Sequence, residues 1–338
     1  MPVGTISATV AQHKAFDEKK AVMIVRNAER VDRIFPEWLN VNITETGEYM
    51  PNDLNLPSNI INRPGGYLDF ENDSPITELG MLTSQVFGRA LRIFNVWPIS
   101  RIITSPALRC VQTASAIACG IHKPVPICIE PALFDWLSWY ATMPNLLSPE
   151  FLFDYENLVD YKYKPCIGVQ QLKTLVGSES LTAFYDRIRM CISNLLSGRE
   201  KDRTLIVCHS TVMDAIIKAL RKCEPLAITA VDMHKMGTYY PYLSTVTLTN
   251  RQDRWLFVHE PITSFTHFGI SNAVDIEFIN RTTKVRRTEH PFMPVGLGKN
   301  KIKPKKSTNK KVSKKKRKKS SKKSRKSSKG KKIQWQAT

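Results

Sequence analysis

At 338 residues with 42% apolar side chains, the chain can hold one large or two small domains with an ordinary buried core, which excludes a wholly disordered polymer. Its net charge of +20 is localised: Lys299 to Thr338 holds 20 Lys or Arg and no Asp or Glu, while residues 1–298 carry 30 basic and 30 acidic side chains. The basicity therefore belongs to a tail and not to a domain.

In chain order, residues 1–20 are polar and weakly patterned and read as a flexible leader; they lack the charged start and apolar stretch of a signal peptide. "AVMIVR" (21–26) is a short continuous apolar run, the pattern of a strand buried on both faces. An irregular stretch rich in Asn and Pro follows to about Ser74. "TELGMLTSQVFGRALRIF" has helical spacing, with Leu79, Leu82, Val86, Ala90 and Ile93 as its apolar stripe and Thr77 as its cap. "RIITS" (101–105) is a second strand, and "SPALRCVQTASAIA" places Pro106 in the first turn of a helix.

"PVPICIE" reads as a strand ending at Glu130. "ESLTAFYDRIRMCISNLL" reads as an amphipathic helix, "RTLIVCH" as a strand ending at His209, and "STVMDAIIKAL" as a helix capped by Ser210 or Thr211. "LSTVTLTN" and "RWLFVH" form a late antiparallel pair. Strands alternating with helices predict an α/β fold, a mainly parallel sheet with helices on both faces. Ligands of such sheets gather beyond the carboxyl ends of the strands. Arg26, Ser105, Glu130 and His209 all stand there, and Arg30 and Arg109 lie close by in sequence. Forked guanidiniums with a helix N-terminus match the oxygens of a phosphate.

Seven cysteines are scattered without a CxxC pair, the histidines His13, His122, His234, His259 and His290 show no metal-ligand spacing, and His267, in "SFTHFG", reads as structural with bracing of the site as the alternative. Reduced thiols in an intracellular compartment, with no metal and no cofactor, are the expectation. Trp136 and Trp139 read as core or pocket-wall aromatics. No apolar run approaches the roughly 18 residues of a membrane span.

The stretches "VRNAERVDRIFPEWL", "PNDLNLP", "DFENDSPITELG", "SPALRCVQTA", "EPALFDW", "LIVCHSTVMD" and "PITSFTHFG" resemble the histidine phosphatase superfamily (phosphoglycerate mutase-like). Within it they are most similar to the phosphatase domain of the UBA- and SH3-containing Sts, or TULA, proteins. The resemblance runs from about residue 21 to 275 and implies the three-layer α/β/α sandwich of that family. The expected organisation is one domain over residues 21–290, followed by a tail over 291–338 that its low-complexity, lysine- and serine-rich composition marks as disordered. Carried over position by position, the resemblance makes Arg26, Arg30, Arg109 and His209 phosphate-binding residues and Glu130 the acid that protonates the leaving group. The nucleophilic His of the family falls on Asn27, and the Gly after it on Ala28. Relatives dimerise in some cases, so a homodimer is compatible with the resemblance.

A carboxamide nitrogen conjugated with its carbonyl is not a nucleophile. Loss of the nucleophile from a coupled catalytic set costs on the order of 10⁶ in turnover. The expected function is therefore a pseudophosphatase that keeps a phosphate-binding pocket, captures a phosphorylated protein or small phosphate ester, or acts as a scaffold. One alternative is a weakly active phosphomonoesterase using His209 or water. Another is an interaction protein working through residues 299–333. That lysine- and serine-rich run cannot bury enough to fold. It reads as a nuclear or nucleolar address, or as a contact for nucleic acid or an anionic surface, binding without specificity and steeply dependent on salt.

Overall fold

The computed structural model describes residues 20–280, except 97, 157–158, 199–201, 259–260 and 268–269. Most of the leader, the whole of the 291–338 tail with its basic run, and His13, His259 and His290 lie outside the described residues.

The chain begins with strand β1 (Ala21–Arg26), then two short helices, α1 (Val31–Ile34) and α2 (Trp38–Asn42). Next come α3 (Glu78–Ile93), β2 (Arg101–Thr104), α4 (Leu108–Ile121) and β3 (Ile127–Ile129). They are followed by α5 (Pro149–Glu156), α6 (Val169–Lys173), α7 (Leu181–Leu196) and β4 (Arg203–Cys208). Helices α8 (Ser210–Arg221) and α9 (Ala230–Tyr239) precede the hairpin of β5 (Thr245–Arg251) and β6 (Arg254–Phe257). The strands form one sheet in the order β3-β2-β4-β1-β5-β6; the first four are parallel and the last two antiparallel to their neighbours.

The apolar runs behave as strands covered on both sides. In β1, Met23 and Val25 enter the core shared with α3 and α4, whereas Val22 and Ile24 enter the one formed with α7, α8 and α9. Strand β4 divides likewise, with Leu205 and Val207 on one face and Ile206 and Cys208 on the other. Every one of these side chains is fully buried. The period-two pleat sends alternate residues to opposite faces, so a strand covered on both must be apolar throughout.

Helix α3 forms where its spacing predicts, and the Thr77 hydroxyl caps it by accepting from the Gly80 N–H at 2.9 Å. Its buried stripe, however, is not the one expected. Leu82, Val86 and Ile93 are exposed, and the helix packs through Gly80, Ser84, Phe87, Gly88 and Leu91. Contact with α4 is backbone to backbone: a Cβ on Gly88 would sit 2.1 Å from the Ile117 carbonyl oxygen, and one on Gly120 2.2 Å from that of Gln85. Only glycine permits that approach, and hydropathy periodicity does not register a face built of small residues. Two further boundaries shift. Pro106 precedes α4 instead of entering it, and Ser210 is the first residue of α8, with His209 at the cap position and no side-chain cap.

Strand β1 sends the chain to α3 on one face and its neighbour β4 sends it to α8 on the other. The crevice beyond the carboxyl ends of these two strands is the switch point where such sheets bind ligands.

Candidate functional site

An open pocket of ≈ 520 Å³ occupies that crevice, with Arg26, Asn27, Arg30, Asp135, His209 and His234 among its lining. Arg26 ends β1. Its Nη1 donates to the Tyr240 carbonyl at 2.6 Å and to that of Gly237 at 3.2 Å, and its guanidinium lies 4.1 Å over the Tyr242 ring. Burial brings its pKa down to about 10, opposed by Tyr242, so it stays charged at neutral pH. Asn27 is 2% exposed; its N–H donates to the Cys208 carbonyl at 2.8 Å and its Nδ2 to the Ala28 carbonyl at 2.9 Å. Ala28 is buried, donates its N–H to Thr113 Oγ1 at 3.0 Å, and is not a positive-φ residue. Alanine therefore stands here without the backbone strain that replacing a left-handed glycine would bring. Arg30 reaches the pocket in a forked pair with Asp32, at 2.8 and 2.6 Å.

Arg109, on the first turn of α4, is fully buried. Its Nη2 donates to His209 Nδ1 at 3.2 Å and to Tyr140 Oη at 3.4 Å, with Asp135 Oδ2 at 3.7 Å. Asp73 Oδ1 lies 3.9 Å from Nη1, and neither Nε nor Nη1 has a hydrogen-bond partner. Buried donors left unmade cost free energy. Although burial works against its charge, the surrounding Tyr140, Cys110, Asp135 and Asp73 push the Arg109 pKa above its ordinary value.

His209 is held from both sides: Nδ1 faces Arg109, and Nε2 lies 2.8 Å from Ser105 Oγ. Since a guanidinium can only donate, Nδ1 is the acceptor and Nε2 carries the proton. Burial first, and then Arg109, Arg30 and Arg26, outweigh Asp135 and lower its pKa to about 3. The ring is neutral at physiological pH, and its one lone pair is engaged by Arg109. Burial opposes ionisation of Asp135, yet His209, Arg109, the Thr211 hydroxyl at 2.6 Å and the Trp136 N–H hold its pKa below the usual carboxylate value. Cys110, 3.8 Å from His209 Nε2, has its thiol pushed up to about 12, mainly by burial, and is no substitute nucleophile.

The strand-end residues do not all converge. Arg26, Asn27, Arg30 and His209 line the pocket, Arg109 and Ser105 support His209 from beneath, and Glu130 is absent from the lining. The Glu130 carboxylate is fully buried and turned away, accepting from the Ala132 N–H at 3.0 Å and from Tyr163 Oη and the Cys166 N–H at 2.8 Å each. A 3-10 turn (Pro131–Leu133) follows it, and the carboxylate that enters the pocket is Asp135, the second acid of "EPALFDW". Glu130 is thus corrected as the candidate acid: its position at a strand end did not determine where its side chain pointed.

Sequence reasoning also missed His234, which lies in the pocket wall stacked on Trp139 at 5.2 Å between ring centroids. It missed Asp73 as well, which anchors the first turn of α4, accepting from the Leu108 N–H at 2.7 Å and from Arg63 at 3.0 Å, with Arg109 Nη1 3.9 Å away. The acidic run "ENDSPITE" was the available signal for Asp73. Trp136 is core, 7% exposed, and Trp139 is pocket wall, whereas His267 sits exposed in a short pair of strands and does not line the pocket.

Residues 62–258 match the family model for the histidine phosphatase superfamily (branch 1), and the chain belongs to that superfamily. The matched stretch begins downstream of the Arg26–Arg30 loop. Among its relatives, the human ubiquitin-associated and SH3 domain-containing protein A is 32% identical over 274 residues, covering 78% of this chain and 39% of the relative. The ecdysteroid-phosphate phosphatase of Drosophila melanogaster is 30% identical over 74% of this chain and 33% of its own length. The chain therefore spans well under half the length of these relatives. Among solved structures, the ecdysone phosphate phosphatase of Bombyx mori in complex with tungstate aligns with a TM-score of 0.64 at 25% identity. That alignment covers 77% of this chain and 99% of that one.

Proposed function

We propose that this domain is a phosphate-binding pseudophosphatase, which holds a phosphorylated protein or small phosphate ester in the β1/β4 crevice without turning it over. The observation that carries the reading is the cationic lining of the pocket: Arg26 and Arg30 beside a neutral His209, whose ring is held from beneath by the fully buried Arg109 guanidinium at 3.2 Å. Such a cluster suits an oxyanion, and the silk-moth relative was solved with tungstate. Against turnover stands Asn27, which offers no nucleophilic lone pair. The surrounding groups supply no replacement. The His209 lone pair accepts from Arg109, and the Cys110 thiol is protonated.

The test is hydrolysis of an aryl phosphate by the wild type and by Asn27→His, with calorimetric binding of phosphate to both. A silent wild type that binds phosphate, beside a variant that turns over, supports the reading. Because Ala28 carries no positive-φ strain, the substitution is made at position 27 alone. Wild-type turnover abolished by His209→Ala would overturn the reading in favour of a weak enzyme. Absence of phosphate binding in both proteins would remove the capture role.

A further inference from the structure

We infer that Glu130, Cys166 and Cys191 form a binding site for a zinc-class divalent cation, separate from the phosphate pocket. The three come from different parts of the chain: the end of β3, the loop before α6, and the buried face of α7. Their ligand atoms, one carboxylate oxygen and two sulfurs, all lie within 4.8 Å of one another. Zinc takes thiolate at about 2.3 Å and carboxylate at about 2.0 Å, so ligand atoms of a tetrahedral site stand roughly 3.5–3.8 Å apart, and the cluster needs to close by at most about 1 Å. Cys191 and Glu130 are buried while Cys166 is half-exposed, which leaves the remaining tetrahedral position on the Cys166 side for water.

The carboxylate points to the same conclusion. Glu130 is fully buried, and its hydrogen bonds all come from neutral donors: Tyr163 Oη and the N–H groups of Ala132 and Cys166. Nearby guanidiniums are engaged elsewhere, Arg101 with Asp202 at 2.9 Å and Arg187 with Glu179 at 2.7 Å. A buried carboxylate without an ion partner is costly whenever it is ionised, and a cation held by the two sulfurs would stand against its oxygen. The same three donors fix the carboxylate's orientation in the manner of outer-shell groups around a metal ligand. Binding exchanges two thiol protons, released to solvent, for one divalent ion, so the net charge of the cluster does not change. Two sulfurs select zinc over magnesium or calcium, which prefer all-oxygen sites. The ion would tie β3, the loop ahead of α6 and helix α7 together behind the turn that carries Asp135.

The experiment uses the full chain, reduced and stripped of metal, titrated with Zn²⁺ against a chromophoric chelator and separately with Co²⁺. One ion per chain is expected, with release of about two protons. The Co²⁺ form should show thiolate-to-metal charge-transfer absorption and the intense visible bands of a tetrahedral site. Cys166→Ser should lower affinity by more than about 100-fold, since even outer-shell losses cost 10–100-fold, and Cys191→Ser should do the same. Cys119→Ser, an exposed thiol away from the cluster, should change nothing. Cys166 is half-exposed, so its variant is expected to fold, which circular dichroism checks. Failure of the folded wild type to take up a stoichiometric ion, uptake that survives Cys166→Ser, or a Co²⁺ spectrum without thiolate bands would overturn the assignment.

Discussion

Glu130 and Asp135 flank one 3-10 turn after β3, both buried, yet the turn sends them to opposite sides. Asp135 faces the Arg109 guanidinium and the His209 ring, in a pocket that also holds Arg26 and Arg30, and its pKa is held low. Glu130 faces a phenol, two backbone N–H groups and two thiols, a region with no ion pair to it among the described residues. The same chemical group is thus placed as a charge-balancing neighbour of an anion pocket in one case and as a candidate metal ligand in the other. What separates them is the direction of a backbone turn, not residue type.

The largest effect expected from testing that contrast is on turnover. If Asn27→His restores hydrolysis, Asp135→Asn in that background should lower the rate about 10²–10⁴-fold, the range for a group handling a proton in the transition state, where the negative charge of a bound phosphate raises the Asp135 pKa from its low value in the empty pocket. Glu130→Gln should leave the rate within a factor of a few, and the reverse pattern in steady-state kinetics would reinstate Glu130.

Acid unfolding comes next. His209 titrates at about 3 in the folded protein against about 6.5 unfolded. Between those values the unfolded chain binds the extra proton, so stability falls as pH drops from 6.5 towards 3, by at most about 5 kcal/mol. Asp135, with its pKa depressed by folding, adds a loss only at the acidic end, as pH falls through its folded value. Denaturant melts across this range should therefore show a steep limb that His209→Gln flattens above pH 4 and that Glu130→Gln leaves in place.

Arg109→Gln removes the cation shared by Asp73 and Asp135, and a loss of about 3–5 kcal/mol is expected from breaking such buried pairing. Phosphate affinity should fall with it, as calorimetry on the folded fraction would show. The smallest effect separates the carboxylates most cleanly. Asp135→Asn should tighten phosphate binding about tenfold, or ~1.4 kcal/mol, by removing a negative charge from the pocket while keeping an acceptor for Thr211. Glu130→Gln should not alter it.

The sequence by itself determined the strands, because runs such as "AVMIV" (21–25) and "LIVC" (205–208) are apolar at every position, the pattern of a strand covered on both faces. It also determined the strand-end positions of Arg26, Asn27 and His209, since alternating strands and helices put the binding edge at the carboxyl ends. The tertiary structure decided what depends on direction and approach. The packed face of α3 is set by Gly88 and Gly120 meeting backbone, which hydropathy cannot express. The choice of Asp135 over Glu130, the entry of His234 into the pocket wall, and the meeting of Cys166 and Cys191 at Glu130 join residues far apart in the chain or reversed by a single turn. Spacing along a sequence constrains local periodicity, but convergence of side chains is fixed only once the sheet brings its strand ends and covering helices together.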